Sequence, residues 1–205
     1  ALWPDAPTYT LVYDQKALGG MFEGKEIRTS FLQKLPLGRR LLRYYLPLMP
    51  TATESYDLSN FDVIISSSSA FAKGIIPPPY GLHFSYCHSP TRYLWTDSHS
   101  YIDELRAPRF IKALLPILLT KLRVWDRLAA DRVDYFIANT PDIREYLIQK
   151  SVNPDHVVTL HNFATEDCPV TTIRRADLGT PEDATVVLAL ARYHPVKGLD
   201  VLIRS

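Results

Sequence analysis

Short, nearly continuous apolar runs alternate along this chain with polar, proline-bearing stretches, and most runs end in loops of small or charged residues. TYTLVYD, Thr8 to Asp14, predicts a strand, and IRTSFLQKL, Ile27 to Leu35, a short strand that runs into a turn. FDVIISSSSAFAKG, Phe61 to Gly74, reads as a buried strand, FDVIISS, opening into a serine-rich loop. LHFSYCHS (Leu82 to Ser89), VDYFIANT (Val133 to Thr140) and VVTLHNF (Val157 to Phe163) predict three more strands. Pro108 to Asp131 is mostly helical in pattern. PDIREYLIQKS, Pro141 to Ser151, predicts a helix with proline in its first turn, where a missing N–H costs little. Ala164 to Ala184 is polar, holds Pro169 and Pro181, and reads as a linker followed by a short helix, RRADLG. TVVLALA, Thr185 to Ala191, predicts a last strand, feeding a basic loop and the first turns of a helix. Apolar strands separated by helices predict an α/β fold with a parallel sheet covered on both faces.

Composition narrows the class without naming a function. The chain has 205 residues, 46% hydrophobic and 22% charged, with a net charge of +1. That suits one good core, or one domain and part of a second. The near-neutral balance argues against nucleic acid as a general partner. Cys87 and Cys168 stand apart without metal-ligand spacing, and read as reduced thiols of a cytoplasmic protein with no structural zinc. No signal peptide is expected at the start. The one long apolar segment, Phe110 to Leu119, is interrupted by Lys112 and Pro116 and is too short to span a bilayer.

Ligands of open parallel sheets bind at the carboxyl ends of the strands, so the residues just after each strand carry the candidate chemistry. Four loops qualify: Ser66 to Ser69 with Lys73; His88 to Asp97; Asn139 and Thr140; and Arg192 to Lys197. The second, within YCHSPTRYLWTDSH, holds His88, Arg92, Tyr93, Trp95, Asp97 and His99. Aromatic faces that stack on C–H surfaces, beside charged groups that bond hydroxyls, suit a sugar. The same residues also suit packing, with Tyr93 and Trp95 against the sheet and His88 capping a carbonyl. The last loop offers Arg192, His194 and Lys197 ahead of Gly198 at a helix start. Helix N-terminal amides and two cations hold phosphate, although so short a pattern also describes a solvated basic loop.

Other combinations lead less far. Cys87 and His88 are neighbours on one strand, so their side chains leave on opposite faces and form no nucleophile–base pair. Asp126, Asp131 and Asp134 read as surface charges or caps. Gly38 to Pro50 mixes Arg39, Arg40 and Arg43 with leucines and tyrosines, a pattern that suits an anionic membrane surface. In Phe110 to Arg127, Leu114, Leu118, Leu122 and Trp125 recur near helical spacing beside Lys121, Arg123 and Arg127. For that stretch a helix with one buried face and a basic outer face is the preferred reading.

Taken in order, YTLVYD, TSFLQKLP, the LPLMP run, FDVIISSSSAFAKG, YCHSPTRYLW, LRVWDRLAADRVDYFIANT and LALARYHPVKGLDVLIRS resemble segments of a known family. It is the group 1 (family 4) retaining glycosyltransferases of the GT-B fold, in the bacterial mannosyltransferase-like branch that builds surface polysaccharides. The resemblance covers nearly the whole chain. It implies a Rossmann-like N-terminal, acceptor-side domain over residues 1–163, a linker over 164–184, and the first strand–loop–helix of a second, donor-binding Rossmann-like domain over 185–205.

What the resemblance implies about the site follows residue by residue. Arg192 and Lys197 match the cations that grip the donor diphosphate, where growing negative charge on the leaving group needs stabilising. His88 matches the histidine that faces the donor sugar and orients it. Arg92 and Trp95 would shape the same wall, and Lys73 and Asn139 would face the cleft from strand ends. The implied donor is a nucleotide sugar, GDP-mannose first, used without a metal or other cofactor. The implied acceptor is a lipid-linked or saccharide molecule, met in the cytoplasm or at the inner membrane face through Arg39, Arg40 and Arg43. The chain also departs from the family pattern. Ala1 to Pro4 looks like the end of a first helix, so the strand and Gly-rich loop before it are missing. The second-domain carboxylate pair is absent, Ala191 stands where glycine is usual, and LHNF replaces a tyrosine–proline segment. The expectation is a piece of an enzyme that does not turn over alone, with an unpaired apolar sheet edge. Two other readings remain: a non-catalytic membrane-surface binding module, and a GT-B sugar-nucleotide epimerase relative.

Overall fold

Two parallel sheets carry the chain in the computed structural model. It describes residues 3–36, 42–95, 98, 108–162, 174, 177, 179–181, 183–185, 201 and 203. The chain divides into two compact units, Ala1–Asn162 and Phe163–Ser205. The described fold lies in the first, and residues 186–191 of TVVLALA, Arg192 and Lys197 lie outside the described residues.

In the smaller sheet β1 (Thr8–Thr10) pairs in parallel with β2 (Ile27–Thr29). The larger has β3 (Val63–Ser68), β4 (Leu82–Cys87), β5 (Tyr135–Ala138) and β6 (Val157–Thr159), all parallel and in sequence order. Among the described residues, the helices with given bounds are α1 (Met49–Glu54), α2 (Arg92–Trp95), α3 (Arg109–Ala130) and α4 (Pro141–Gln149). The α/β reading with parallel strands therefore holds, in an arrangement compatible with a Rossmann-like sheet.

The register aligns Ser68, Cys87, Ala138 and Thr159 as one row at the carboxyl ends of the large sheet. Cys87, Phe136, Ala138 and Val157 bury on one face against Leu147, with Ile143 and Ile148 of α4 beside them. Thr140 starts α4 by accepting a hydrogen bond from the Ile143 N–H at 3.3 Å, with Pro141 at the first helical position. A second core joins Leu32, Met49, Ala52, Phe71 and Leu94 to Leu119 and Leu122 of α3. Each fully buried leucine contributes about 1.5–3 kcal/mol of transfer free energy.

Three expectations need correction. The strand read as FDVIISS, through Ser67, runs one residue further: β3 ends at Ser68, and buried Ser66 and Ser68 are tolerated because both hydroxyls are bonded. Ser66 meets His83 Nε2 at 2.8 Å, and Ser68 accepts from the Lys73 N–H at 3.3 Å. Nor, among the described residues, is the large sheet covered on both faces. Val63, Ile65, Leu82, Tyr135 and Val158 share its other face, which the register makes continuous, and all are exposed. Lastly, the outer side of α3 is not simply basic. Leu115, Leu119 and Leu122 face inward, while Leu114, Ile117, Val124 and Leu128 are exposed beside Lys121 and Arg127.

Candidate functional site

Polar side chains gather where the large sheet ends. Alternation along β4 buries Cys87 and turns the next side chain, His88, out to solvent. The neighbouring strand does the same with Ser67, so the two meet: Ser67 Oγ lies 2.8 Å from His88 Nε2. Tyr86, two residues earlier on the same face, sets its ring edge-on to the imidazole at 4.9 Å between centroids. From β5, Asn139 donates its side-chain N–H to the His88 carbonyl at 3.1 Å. His161, just past β6, donates from Nδ1 to the Asn139 carbonyl at 3.1 Å. Tyr86 donates its hydroxyl to the Leu160 carbonyl at 3.0 Å and Asn162 Oδ1 at 2.8 Å.

Bonds between side chains and backbone thus tie the ends of β3 to β6 together and hold His88 at an exposed edge. Among the described residues Asn139 Oδ1 is buried and accepts nothing. Chemically, the cluster offers an imidazole, a hydroxyl and a carboxamide in a row, which is the equipment for bonding and orienting a polyol. Of the residues singled out in the sequence, His88 and Asn139 come together here. Ser67 was included only as part of a loop, and His161 and Asn162 were missed. Their signal was the one used for the others, a position directly after an apolar strand.

Lys73 and Trp95 point elsewhere. Lys73 Nζ sits 2.7 Å from Asp126 Oδ1 in an ion pair, both side chains largely buried. Thr91 Oγ1 donates to the same oxygen at 2.8 Å, and Trp95 Nε1 donates to Asp126 Oδ2 at 2.9 Å. Asp126, read from sequence as a surface charge or cap, is buried at the centre of this network. Its correction has a plain cause, since its partners lie 31 to 53 residues away in sequence. Asp134 does act as a cap: Oδ2 accepts the His83 N–H at 2.7 Å. The Lys150 ammonium lies over the Trp95 ring, 5.4 Å from its centroid. A cavity of about 300 Å³ adjoins this network and is bounded by Lys73, Cys87, Trp95, Asp126, Tyr146 and Lys150. Burial raises the pKa of the Cys87 thiol, with Lys73 opposing, so this cysteine is held protonated rather than poised as a nucleophile.

Arg92 lies in α2, and its side chain is outside the described atoms, as is that of Arg43; Arg39, Arg40, Arg192 and Lys197 lie outside the described residues altogether. Among the described residues no three His, Cys, Asp or Glu side chains are grouped to hold a metal ion. None of the described helices is long and apolar enough to cross a membrane. Comparison with protein-family models, curated proteins and solved structures finds no match to this chain.

Proposed function

We propose that the protein is a retaining glycosyltransferase of GT-B type, moving a sugar, mannose in the first instance, from a nucleotide sugar to a lipid-linked or saccharide acceptor. The observation that carries the reading is the exposed His88 imidazole at the carboxyl edge of a parallel sheet, held by Ser67 and flanked by Asn139. Hydrogen bonds from such a ring orient sugar hydroxyls, and fixed orientation lowers the barrier to transfer. Arg192 and Lys197 would take the donor diphosphate and stabilise its developing charge as the glycosidic bond breaks. Asn139 would contribute through the ring it helps to hold. Lys73 and Trp95 are held by Asp126 instead. The nucleotide sugar is the substrate, and the chemistry is carried by side chains of the chain. A panel of nucleotide sugars offered to the intact protein tests the reading. It fails if no donor is hydrolysed or transferred and Arg192→Ala leaves nucleotide binding unchanged.

A second reading, a non-catalytic membrane-surface module, draws on the exposed Leu114, Ile117, Val124 and Leu128 of α3. They recur every three to seven residues along one side of the helix with Lys121 among them. Co-sedimentation with anionic vesicles separates the two readings. A membrane module binds them and loses binding in Ile117→Ser/Val124→Ser, with no response to nucleotide sugars.

A further inference from the structure

The face of the large sheet opposite His88 carries a cavity of about 300 Å³, set against buried Cys87 and Phe136. Two aromatic rings and one ammonium meet on its wall. Lys150 Nζ lies 5.4 Å from the centre of the Trp95 ring and 5.6 Å from that of Tyr146. Tyr146 sits one turn before Lys150 at the end of α4, an ordinary i, i+4 neighbour. Trp95 is not local: it reaches the same ammonium from α2. Among the described residues no ion pair holds this ammonium. The two rings hold it, on a residue that is itself exposed.

The surroundings favour positive charge at that point. Trp95 Nε1 donates to Asp126 Oδ2 at 2.9 Å, which fixes the ring, and a carboxylate at that edge enriches the ring face in electron density. The ring stays 37% exposed, so its face is reachable. The last turns of α3 and α4 both border the cavity, through Ala130 and Leu147. A helix places its negative dipole end there. Of the other cations on the wall, Lys73 is paired with Asp126 and Arg127 bonds the Lys150 carbonyl at 2.9 Å. Asp131, exposed on the same wall, adds a carboxylate. Phe136, Leu147 and Val152 make the interior apolar. Aromatic faces, a negative rim and an apolar interior suit a cation that carries methyl or other alkyl groups.

We propose that this cavity is a binding site for a small alkylammonium ion, which enters by displacing the Lys150 side chain from Trp95 and Tyr146. Lys150 is an internal competitor that covers the rings when no ligand is present. Its displacement costs little structure, because the helix end is held through the Lys150 backbone. The Lys150 N–H donates to Tyr146 O at 3.1 Å, and its carbonyl accepts from Arg127. At about 300 Å³ the cavity is at the small end of ligand pockets, which limits the ligand to an ammonium group with a short tail. An internal competitor weakens apparent affinity by the fraction of molecules in which the site stands open. Removing the Lys150 ammonium therefore tightens the binding of a cation and weakens that of an anion. The sign of that change separates the two classes of ligand.

The proposal stands independently of glycosyl transfer. The ¹⁵N-labelled protein is titrated with choline chloride at constant ionic strength, and its tryptophan indole N–H signals are followed by NMR. The Trp95 signal, assigned through Trp95→Phe, should shift and saturate while that of Trp3 stays unchanged. Lys150→Ala, at an exposed position that keeps its backbone bonds, should tighten choline binding about fivefold or more. Tyr146→Leu should weaken it about fivefold or more. The alcohol 3,3-dimethylbutan-1-ol, which has choline's shape without its charge, should bind about tenfold more weakly or worse. Equal binding of that alcohol overturns the proposal, since the cavity then takes any apolar group. So does weaker choline binding in Lys150→Ala, an equal shift of all three indole signals, or no saturable shift in the parent and in Lys150→Ala. Preferred binding of 3,3-dimethylbutanoate, lost in Lys150→Ala, would make this an anion site and overturn it too.

Discussion

Ser67 Oγ and His88 Nε2 stand 2.8 Å apart across the β3–β4 boundary, although 21 residues separate them in sequence. The pair exists because parallel pairing sets Ser67 beside Tyr86, and the chain then carries His88 one pleat beyond on the same face. Ser67 fixes which way the imidazole turns, and so which nitrogen is left for a ligand.

Removing that hydroxyl tests its positioning role. Ser67→Ala should lower kcat/KM for sugar transfer about five- to tenfold, the value of one net hydrogen bond. Because Ser67 is exposed, stability should change by less than about 0.5 kcal/mol in urea unfolding. Ser67→Thr should restore activity, which a purely structural role would not require.

Asp126 is the stability centre. Asp126→Ala leaves the largely buried Lys73 ammonium unpaired and takes away the acceptor for Thr91 and Trp95. Loss of one partner from such a pair costs about 3–5 kcal/mol, to be read from the urea midpoint. Lys73→Met/Asp126→Leu should recover most of the loss. If the single variant unfolds like the parent, the network contributes little.

His83 makes stability depend on pH. It is fully buried, with Nδ1 3.3 Å from the Arg132 carbonyl and Nε2 2.8 Å from Ser66 Oγ. Burial lowers its pKa below the usual 6.5, with the Arg132 carbonyl and Asp134 opposing. The unfolded chain takes up the proton near pH 6.5 and the folded chain only at lower pH. Between those points the unfolded state holds more protons, so stability falls as pH drops through the window and is whole above it. Urea midpoints between pH 7.5 and 5 should decline in the parent and flatten in His83→Gln. Equal slopes would contradict the assignment.

Gly74 is required for space. A Cβ there would clash with Trp125 Cζ2 and Cη2. Trp125 is anchored by Nε1 donating to Glu54 at 2.8 Å, and Glu54 also holds Arg132 at 2.7 Å. Gly74→Ala should cost about 1–3 kcal/mol, as overpacking does, with a change in tryptophan fluorescence. An unchanged melting temperature would mean that the ring moves freely.

The strands were legible because β3 to β6 draw on apolar runs such as Val63 to Ile65 and Tyr135 to Ala138, which tertiary context only trims. The long α3 and proline-started α4 were legible from period and capping. The end of β3 at Ser68 was not, since a run of serines carries no apolar signal, and the buried Ser66 and Ser68 depend on His83 and Lys73 bonding from elsewhere. The short α1, MPTATE, escaped because its two threonines and proline are weak helix formers. In the site, alternation separated His88 from Cys87, whereas Ser67, His161 and the Asp126 network needed the register and long-range contacts that no single segment encodes.

The most direct test of the account is the anomeric configuration of the product made by the intact protein from GDP-mannose, read by ¹H NMR. The expected result is mannosyl transfer with the donor's α configuration retained, and a loss of about a hundredfold or more in His88→Ala while the variant stays folded. Transfer with inversion, or a fully active His88→Ala variant, would contradict it.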